Sequence, residues 1–265
     1  MRNLLARVVG DKDYFPSQKR AEASVETITN DLRANGAPHY PKPKAFLDVP
    51  DWLEICQPVA QPDDLSACSN VRSSFMLPDF PKPFVYDIVR AFRLLRGAKT
   101  YVEVGTFDRG NLAYVASLLA DDALIVGVDI QAEETQDAKL RSVLKPGQQY
   151  VSVVGNSQDP ATVAKVRQTL GNRPLDAVFI DGDHTAYGAM SDYVNYGELV
   201  TAGGFVLFHD SLWEGDGKYK GVADALSEID RLEPIYLVTG NGPIYRFMRP
   251  MFRDPLWGIV GVLRK

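Results

Sequence analysis

The chain has 265 residues, of which 45% are hydrophobic and 24% are charged, a composition typical of one large globular domain or a domain with an extension. No apolar run approaches the ~18 residues of a membrane-spanning helix, and Arg7 interrupts the first residues too early for a secretory leader. The net charge is -5, without the basic stripe expected of a nucleic-acid binder, and two cysteines cannot form a disulfide framework. We therefore expect a cytoplasmic protein with neither nucleic acid nor membrane as a partner.

Residues 1–98 differ in composition from the rest of the chain. Ten of the 17 prolines but only two of the 21 glycines lie before residue 97. This asymmetry predicts a mostly helical, Pro-rich N-terminal extension, which could be a lid or an oligomer contact. Apolar spacing predicts helices over residues 21–32 and 83–97. The arm between them, residues 36–82, has apolar side chains that we expect to anchor it, among them Ile55 and Phe75.

From residue 99 onward, short apolar strands alternate with helices. Such near-continuous apolar runs are typical of parallel strands that are covered on both faces. The predicted strands span residues 100–104, 123–129, 149–154, 175–181, 204–209, 234–239 and 258–263. Residues 99–265 are therefore expected to form an α/β domain with a doubly wound, Rossmann-like sheet, whose ligand site lies at the carboxyl ends of the strands.

The first strand leads into a glycine-containing turn, Glu103-Val-Gly105-Thr-Phe-Asp-Arg-Gly110-Asn111. Gly105 allows a tight turn, and Gly110 allows the next helix to begin close to a ligand. The dinucleotide fingerprint GxGxxG is absent, and a glutamate is unfavourable beside a pyrophosphate. Glu103 suits a cofactor that carries an amine and a sulfonium.

Polar residues also follow the second and third strands. Asp129 ends the second strand, roughly 20 residues after the glycine turn, where an acid can hold ribose hydroxyls. Ser157 and Gln158 follow the third strand and could meet the polar edge of an adenine. Each of these residues alone is compatible with ordinary turn chemistry. Together, in this order, they favour a nucleoside cofactor.

An acidic cluster is predicted where the fourth and fifth strands end, at Asp181, Asp183 and Asp210. Carboxylates this close repel one another unless a cation or a proton intervenes. Oxygen ligands suit Mg²⁺, or Mn²⁺ if His209 also coordinates. His209 could instead orient Asp210 or contact the substrate, and the acids could simply cap helices.

His184 lies three residues after Asp181, on the turn that opens the next helix. A neutral imidazole can accept a proton near pH 7, and a neighbouring carboxylate keeps it basic. His184 is therefore a candidate general base. The alternative is a histidine at a helix start that is merely bonded to Asp181 or Asp183.

Residues 99–265 resemble a class I S-adenosylmethionine-dependent methyltransferase. The segments Phe179-Ile-Asp181-Gly-Asp183-His184 and Gly203-Gly-Phe-Val-Leu-Phe-His209-Asp210 are similar to the small-molecule O-methyltransferase group. That group includes catechol-type enzymes, macrolide-sugar methyltransferases and cephalosporin-hydroxylase-like proteins. The resemblance covers about two-thirds of the chain, and residues 1–98 lie outside it.

The resemblance implies S-adenosyl-L-methionine (SAM) as the cofactor. Its methionine part would meet Glu103 and Gly105, its ribose Asp129, and its adenine Ile130. The full set of implied cofactor-binding residues is Glu103, Gly105, Thr106, Phe107, Gly110, Asn111, Asp129, Ile130, Ser157, Gln158 and Asp181.

The same resemblance implies a metal triad of Asp181, His209 and Asp210, with His209 where related enzymes have an acid. His184 stands where they have a lysine or histidine base, so His184 and Asp181 are the expected catalytic residues. The predicted activity is divalent-metal-dependent O-methylation of a small hydroxylated acceptor, a sugar or natural product, by a homo-oligomer. Alternatives are a metal-independent N-methyltransferase, a hydroxylase-like relative or a non-catalytic SAM-binding partner subunit.

Overall fold

The computed structural model describes residues 55–56, 62–75, 86–211, 221–230, 233–238 and 260–265. The predicted helix at 21–32 lies outside these ranges. The helices are α1 (Pro62–Phe75), α2 (Tyr86–Phe92), α3 (Gly110–Leu118), α4 (Glu134–Val143), α5 (Pro160–Leu170), α6 (Ala186–Tyr196) and α7 (Gly221–Ile229). The strands are β1 (Thr100–Val104), β2 (Leu124–Asp129), β3 (Gln149–Val154), β4 (Leu175–Ile180), β5 (Val200–Phe208), β6 (Tyr236–Val238) and β7 (Val260–Arg264).

The described strands form one seven-stranded sheet in the order β3-β2-β1-β4-β5-β7-β6. Strands β1 to β5 pair in parallel, and β7 pairs antiparallel with both β5 and β6. Chain order reverses between β1 and β4, so a crevice opens at their carboxyl ends. The predicted Rossmann-like α/β fold is confirmed.

Two apolar clusters cover the two faces of the sheet. One contains side chains from α1, α2 and α3, and the other contains side chains from α5, α6 and α7. Alternation along β1 puts Tyr101 in the first cluster and Val102 in the second, both fully buried. Glu103 is two residues beyond Tyr101 and therefore faces α1 and α3. None of the described helices is long and apolar enough to cross a bilayer.

Strand β5 is the element whose predicted start differs most from the structure. It begins at Val200, whereas the apolar run predicted residue 204. The β4–β5 register shifts between Leu175, which pairs with Val200, and Ala177, which pairs with Phe205. Because of this irregularity, β5 includes residues 200–203, which apolar patterning does not detect.

Helix α1 lies within the arm for which no helix was predicted. Phe75 at its end is buried, as predicted, whereas Ile55 is 52% exposed, so its prediction as an anchor is wrong. Gln136 Nε2 on α4 donates a hydrogen bond to the Phe75 carbonyl at 3.2 Å. Lys139 Nζ donates to the Ser74 carbonyl and lies 4.8 Å from the Phe75 ring centroid. These contacts fix the end of α1 against α4.

Candidate active site

The turns after β1 and β4 contact each other at Gly105. Its φ of +83° is in the left-handed region, and a Cβ there would lie 2.1 Å from the Asp181 carbonyl oxygen. Only glycine fits this position. The Asp181 N–H donates to the Val104 carbonyl at 2.9 Å, which extends the strand pairing to the turn itself. The structure thus brings the predicted cofactor turn against the predicted acidic cluster.

Glu103 is a fully buried carboxyl at the end of β1. The Tyr101 hydroxyl donates to its Oε2 at 2.8 Å, and Oε1 accepts no hydrogen bond from a described residue. Burial raises the pKa of Glu103 to about 8, although the Tyr101 hydrogen bond acts in the opposite direction. A buried carboxyl oxygen without a donor is costly, so this site fits a ligand that brings a donor such as an ammonium.

Asp129 is held in a defined orientation at the end of β2. Its Oδ2 accepts hydrogen bonds from the Phe107 N–H at 2.8 Å and from Thr106 Oγ1 at 3.3 Å. Its Oδ1 accepts from the Gln131 N–H at 3.0 Å. The predicted ribose ligand therefore lies directly beside the glycine turn, and its side chain is still partly exposed.

A buried ion pair that the sequence analysis did not find supports this turn. Arg109 is fully buried with φ +65°, and its Nε donates to Asp137 Oδ1 at 2.8 Å. The Tyr150 hydroxyl donates to the same oxygen at 2.9 Å. Arg109 Nη1 donates to the Phe107 carbonyl and lies 3.9 Å from Asp129 Oδ2. Burial would raise the pKa of Asp137, but these hydrogen bonds, above all that from Arg109, lower it.

The predicted adenine residues Ser157 and Gln158 are buried after β3. Gln158 Nε2 donates to Asp183 Oδ2 at 3.2 Å, and the Tyr196 hydroxyl donates to the Ser157 carbonyl at 2.8 Å. The loop after β3 is therefore tied to the loop after β4. The remaining predicted cofactor residues lie around the same crevice: Phe107 is exposed, Thr106 and Gly110 are buried, Ile130 is partly buried, and Asn111 is buried with no described donor to its Oδ1.

Four side chains with metal-ligating atoms meet at the ends of β4 and β5: Asp181, His184, His209 and Asp210. One ligand atom from each lies within 4.8 Å of all the others. His184 Nε2 is 3.3 Å from Asp181 Oδ1 and 3.2 Å from Asp210 Oδ2. His209 Nδ1 is 3.2 Å from Asp181 Oδ1 and 3.3 Å from Asp210 Oδ1. The structure therefore brings together all three predicted metal ligands and the predicted base.

Local structure fixes both ends of this cluster. Asp210 has φ +48°, in the left-handed region that is uncommon for residues other than glycine, asparagine and aspartate. Ser211 Oγ donates to the Phe208 carbonyl at 2.7 Å and accepts from the Gly261 N–H at 2.6 Å. His184 immediately precedes Thr185, the N-cap residue of α6.

The charges of the cluster depend on one another. Burial would lower the pKa of His184, but contacts with Asp181 and Asp210 outweigh it and raise the pKa to about 10. The same two carboxylates raise the pKa of His209 well above its usual range. Burial would raise the pKa values of Asp181 and Asp210, but the two imidazoles lower them. A divalent cation fits this donor set because it could neutralise the carboxylates in place of two imidazolium protons.

Part of the chain is similar in sequence to known proteins. Residues 102–211 match the family described as methyltransferase domain. "Uncharacterized protein R132" of Acanthamoeba polyphaga mimivirus is 32% identical over 118 residues, 42% of this chain and 51% of the viral protein. A "Putative O-methyltransferase" of Mycobacterium sp. (strain KMS) is 25% identical over 195 residues, 68% of this chain and 84% of that protein. The chain thus spans about half the length of the viral relative.

Solved structures give more distant similarities. The MycE methyltransferase of the mycinamycin biosynthetic pathway, in complex with Mg, SAH and mycinamycin VI, is 17% identical with a TM-score of 0.49, covering 75% of this chain and 54% of MycE. The O-methyltransferase from Bacillus cereus in complex with SAH is 16% identical with a TM-score of 0.48, covering 91% of this chain and 100% of that protein. The resemblance stated for the sequence is confirmed over residues 102–211, which match the methyltransferase domain family and contain every candidate cofactor and metal ligand described above.

Proposed function

We propose that this chain transfers the methyl group of SAM to a hydroxyl oxygen of a small metabolite, a sugar or natural product, with the help of Mg²⁺ or Mn²⁺. The observation that carries the proposal is the contact between two unlike sites at Gly105. On one side is Glu103, a buried carboxyl whose Oε1 accepts no hydrogen bond from any residue that the structure describes. On the other side is the cluster of Asp181, His184, His209 and Asp210. A methyl donor and an oxygen nucleophile need sites in this proximity.

Charge and position support the proposed contacts between SAM and the residues of the cofactor side. Glu103 Oε1 would accept a hydrogen bond from the ammonium group of the methionine part. Asp129 would accept from the ribose hydroxyls, because its orientation is already set by Thr106 and Phe107. The other cofactor residues proposed are Gly105, Gly110, Asn111, Ile130, Ser157, Gln158 and Asp181.

The cation would be held by Asp181, Asp210 and His209. Imidazole together with carboxylate donors favours Mn²⁺ somewhat more than an all-oxygen site would. When bound, the cation supplies positive charge that makes the acceptor hydroxyl a stronger acid. His209 occupies the position at which related enzymes carry an acid. Its Nδ1 lies 3.2 Å from Asp181 Oδ1, which is within ion-pair distance.

His184 is the proposed general base. The bond between the acceptor oxygen and the methyl carbon forms as the sulfur–carbon bond breaks, and the hydroxyl proton passes to the imidazole. With a pKa of about 10 beside two uncompensated carboxylates, His184 is protonated and cannot accept a proton. The base role therefore depends on a cation that offsets the charge of Asp181 and Asp210, so the two proposals support each other.

Transfer of a labelled methyl group tests this function. The purified chain is incubated with methyl-labelled SAM, Mg²⁺ and a panel of sugars, catechols and glycosylated natural products. We expect label in an O-methylated product of at least one acceptor and unlabelled SAH as the co-product. Label on amine acceptors only would contradict O-methylation, and binding of NAD but not of SAH would contradict the whole proposal. Cytoplasmic location and homo-oligomerisation stay predictions.

A further inference from the structure

Helix α1, which precedes the matched methyltransferase segment, lies across the N-terminus of α3. Gly110 is the first residue of α3, and a Cβ there would lie 3.4 Å from Arg72 Cα and 3.5 Å from Arg72 Cγ. Arg72 therefore passes directly over the residue at which the cofactor turn becomes a helix. The hydrogen bonds to the Ser74 and Phe75 carbonyls hold the following turn of α1 in place.

The Arg72 guanidinium has a buried nitrogen atom that is suited to bind an anionic group. Its Nη1 is buried, and none of the residues described in the structure accepts a hydrogen bond from it. Its positive charge also acts on Glu103, where it lowers a pKa that burial raises more strongly. Tyr101 donates to Glu103 on Oε2. Burying a guanidinium nitrogen without a hydrogen-bond acceptor costs free energy. A ligand that brings an anionic group would remove this cost.

We propose that Arg72 binds the carboxylate of the methionine part of SAM, so that helix α1 completes the cofactor site. The inference rests on the proposed function and deepens it. The methionine part carries an ammonium and a carboxylate on one carbon atom. Arg72 is cationic, and Glu103 becomes anionic when an ammonium group binds beside it, so the two side chains complement that pair. The amino end of α3 at Gly110 lies against Arg72 and adds partial positive charge there. Residues preceding β1 then contribute to cofactor specificity.

Ligands with and without the carboxylate test this role. SAH, decarboxylated SAM and 5′-methylthioadenosine are titrated by calorimetry into the wild type, Arg72→Met and Arg96→Met. Arg96 is an exposed arginine before the amino end of β1, away from the crevice, and provides the matched control. We expect Arg72→Met to weaken SAH binding about 10- to 100-fold, the effect of losing one charged hydrogen bond, while the two ligands that lack the carboxylate keep wild-type affinity. Arg96→Met should match the wild type for all three ligands.

Other binding results would contradict a contact between Arg72 and the carboxylate. An equal loss for all three ligands would mean that Arg72 only supports the fold. Unchanged SAH binding, with a raised KM for the acceptor, would place Arg72 on the acceptor instead. If the wild type binds none of the adenosyl ligands, the proposed function itself fails. Should Arg72→Met not fold, Arg72→Lys keeps the charge but loses the planar fork, and SAH affinity between those of the wild type and a full loss is expected.

Discussion

The two sides of the crevice balance their charges in different ways. On the cofactor side, Arg109 and Asp137 form a buried pair at 2.8 Å, and Asp129 is held by Thr106 and a backbone N–H. On the opposite side, one nitrogen of each histidine, His184 and His209, lies 3.2–3.3 Å from a carboxylate oxygen of both Asp181 and Asp210. Arg109 is charged at any physiological pH, whereas the histidines are cationic only while they carry a proton.

This difference indicates what each region is ready to do. A permanent ion pair fixes the shape of the cofactor turn before any ligand arrives, which reduces the ordering that binding requires. The histidine–carboxylate cluster can exchange its protons for a divalent cation. We therefore expect cofactor binding to be insensitive to metal ions and methyl transfer to require one.

Removal of divalent cations should have the largest effect. Treatment with EDTA is expected to reduce methyl transfer to background, because His184 then keeps the proton that balances Asp181 and Asp210, and no cation polarises the acceptor. Added Mg²⁺ or Mn²⁺ should restore turnover. Binding of SAH, measured calorimetrically on the same samples, should persist without the metal. Full turnover in excess EDTA would remove the metal from the mechanism and leave His209 to orient the substrate.

His184→Ala should lower turnover by about 10²- to 10⁴-fold, the usual contribution of a positioned base. SAH affinity serves as the control and should be unchanged, because His184 lies in the cluster rather than on the cofactor turn. Metal affinity is measured as well, since Nε2 is 3.2 Å from Asp210 and could also coordinate. Near wild-type turnover would show that the proton goes elsewhere, with Asp183 as the next candidate.

Arg109→Met should destabilise the fold from the cofactor side. Removing one partner of a buried ion pair leaves Asp137 uncompensated, and we expect the free energy of unfolding to fall by about 3 kcal/mol in urea denaturation. The matched control is Lys99→Met, because Lys99 lies 4.0 Å from Asp122 with both side chains 71% exposed. That variant should change stability by less than about 0.5 kcal/mol. Equal effects of the two variants would contradict a supporting role for Arg109.

Asp192 on α6 lies against the turn after β4, where a Cβ at Gly182 would be 3.3 Å from its Oδ2, and it gives a pH-dependent prediction. It is fully buried, and burial raises its pKa from the usual 3.8 to about 8. Between pH 5 and pH 7 the folded chain keeps this proton and the unfolded chain releases it, so the contribution of Asp192 to stability falls as pH rises. The free energy of unfolding of Asp192→Asn should therefore rise, relative to that of the wild type, by about 1.4 kcal/mol per pH unit over this range.

Urea denaturation at both pH values measures this gain. Asp224→Asn, exposed on α7, is the matched control. An equal stability difference between Asp192→Asn and the wild type at pH 5 and at pH 7 would show that this carboxyl does not hold its proton in the folded chain.

Sequence patterning predicted the sheet because each buried strand is a compact apolar run that ends in polar residues. The rule that parallel strands end at the same edge was sufficient to predict that Asp181 and Asp210 meet. Helix α1 was not predicted, since the surrounding prolines suggested an irregular arm. Its signals are Pro62 at the first position of the helix, followed by Leu65, Cys68 and Phe75 at helical spacing.

Long-range polar pairs could not be predicted in the same way. Arg109 and Asp137 are 28 residues apart on different elements, and no local spacing connects them. Arg72 gained significance only when the fold placed it over Gly110. Side-chain partners of this kind depend on the packing of helices, which hydrophobic periodicity describes only by face.

The affinity of Asp129→Ala for SAH shows whether the turn after β1 and the end of β2 hold an adenosyl cofactor. Calorimetry with the wild type should show one SAH site per chain. Asp129→Ala should bind SAH about 10- to 100-fold more weakly, whereas Asp122→Ala, exposed before the opposite end of β2, should bind it as the wild type does. Unchanged affinity in Asp129→Ala, or wild-type binding of NAD without binding of SAH, would contradict the account.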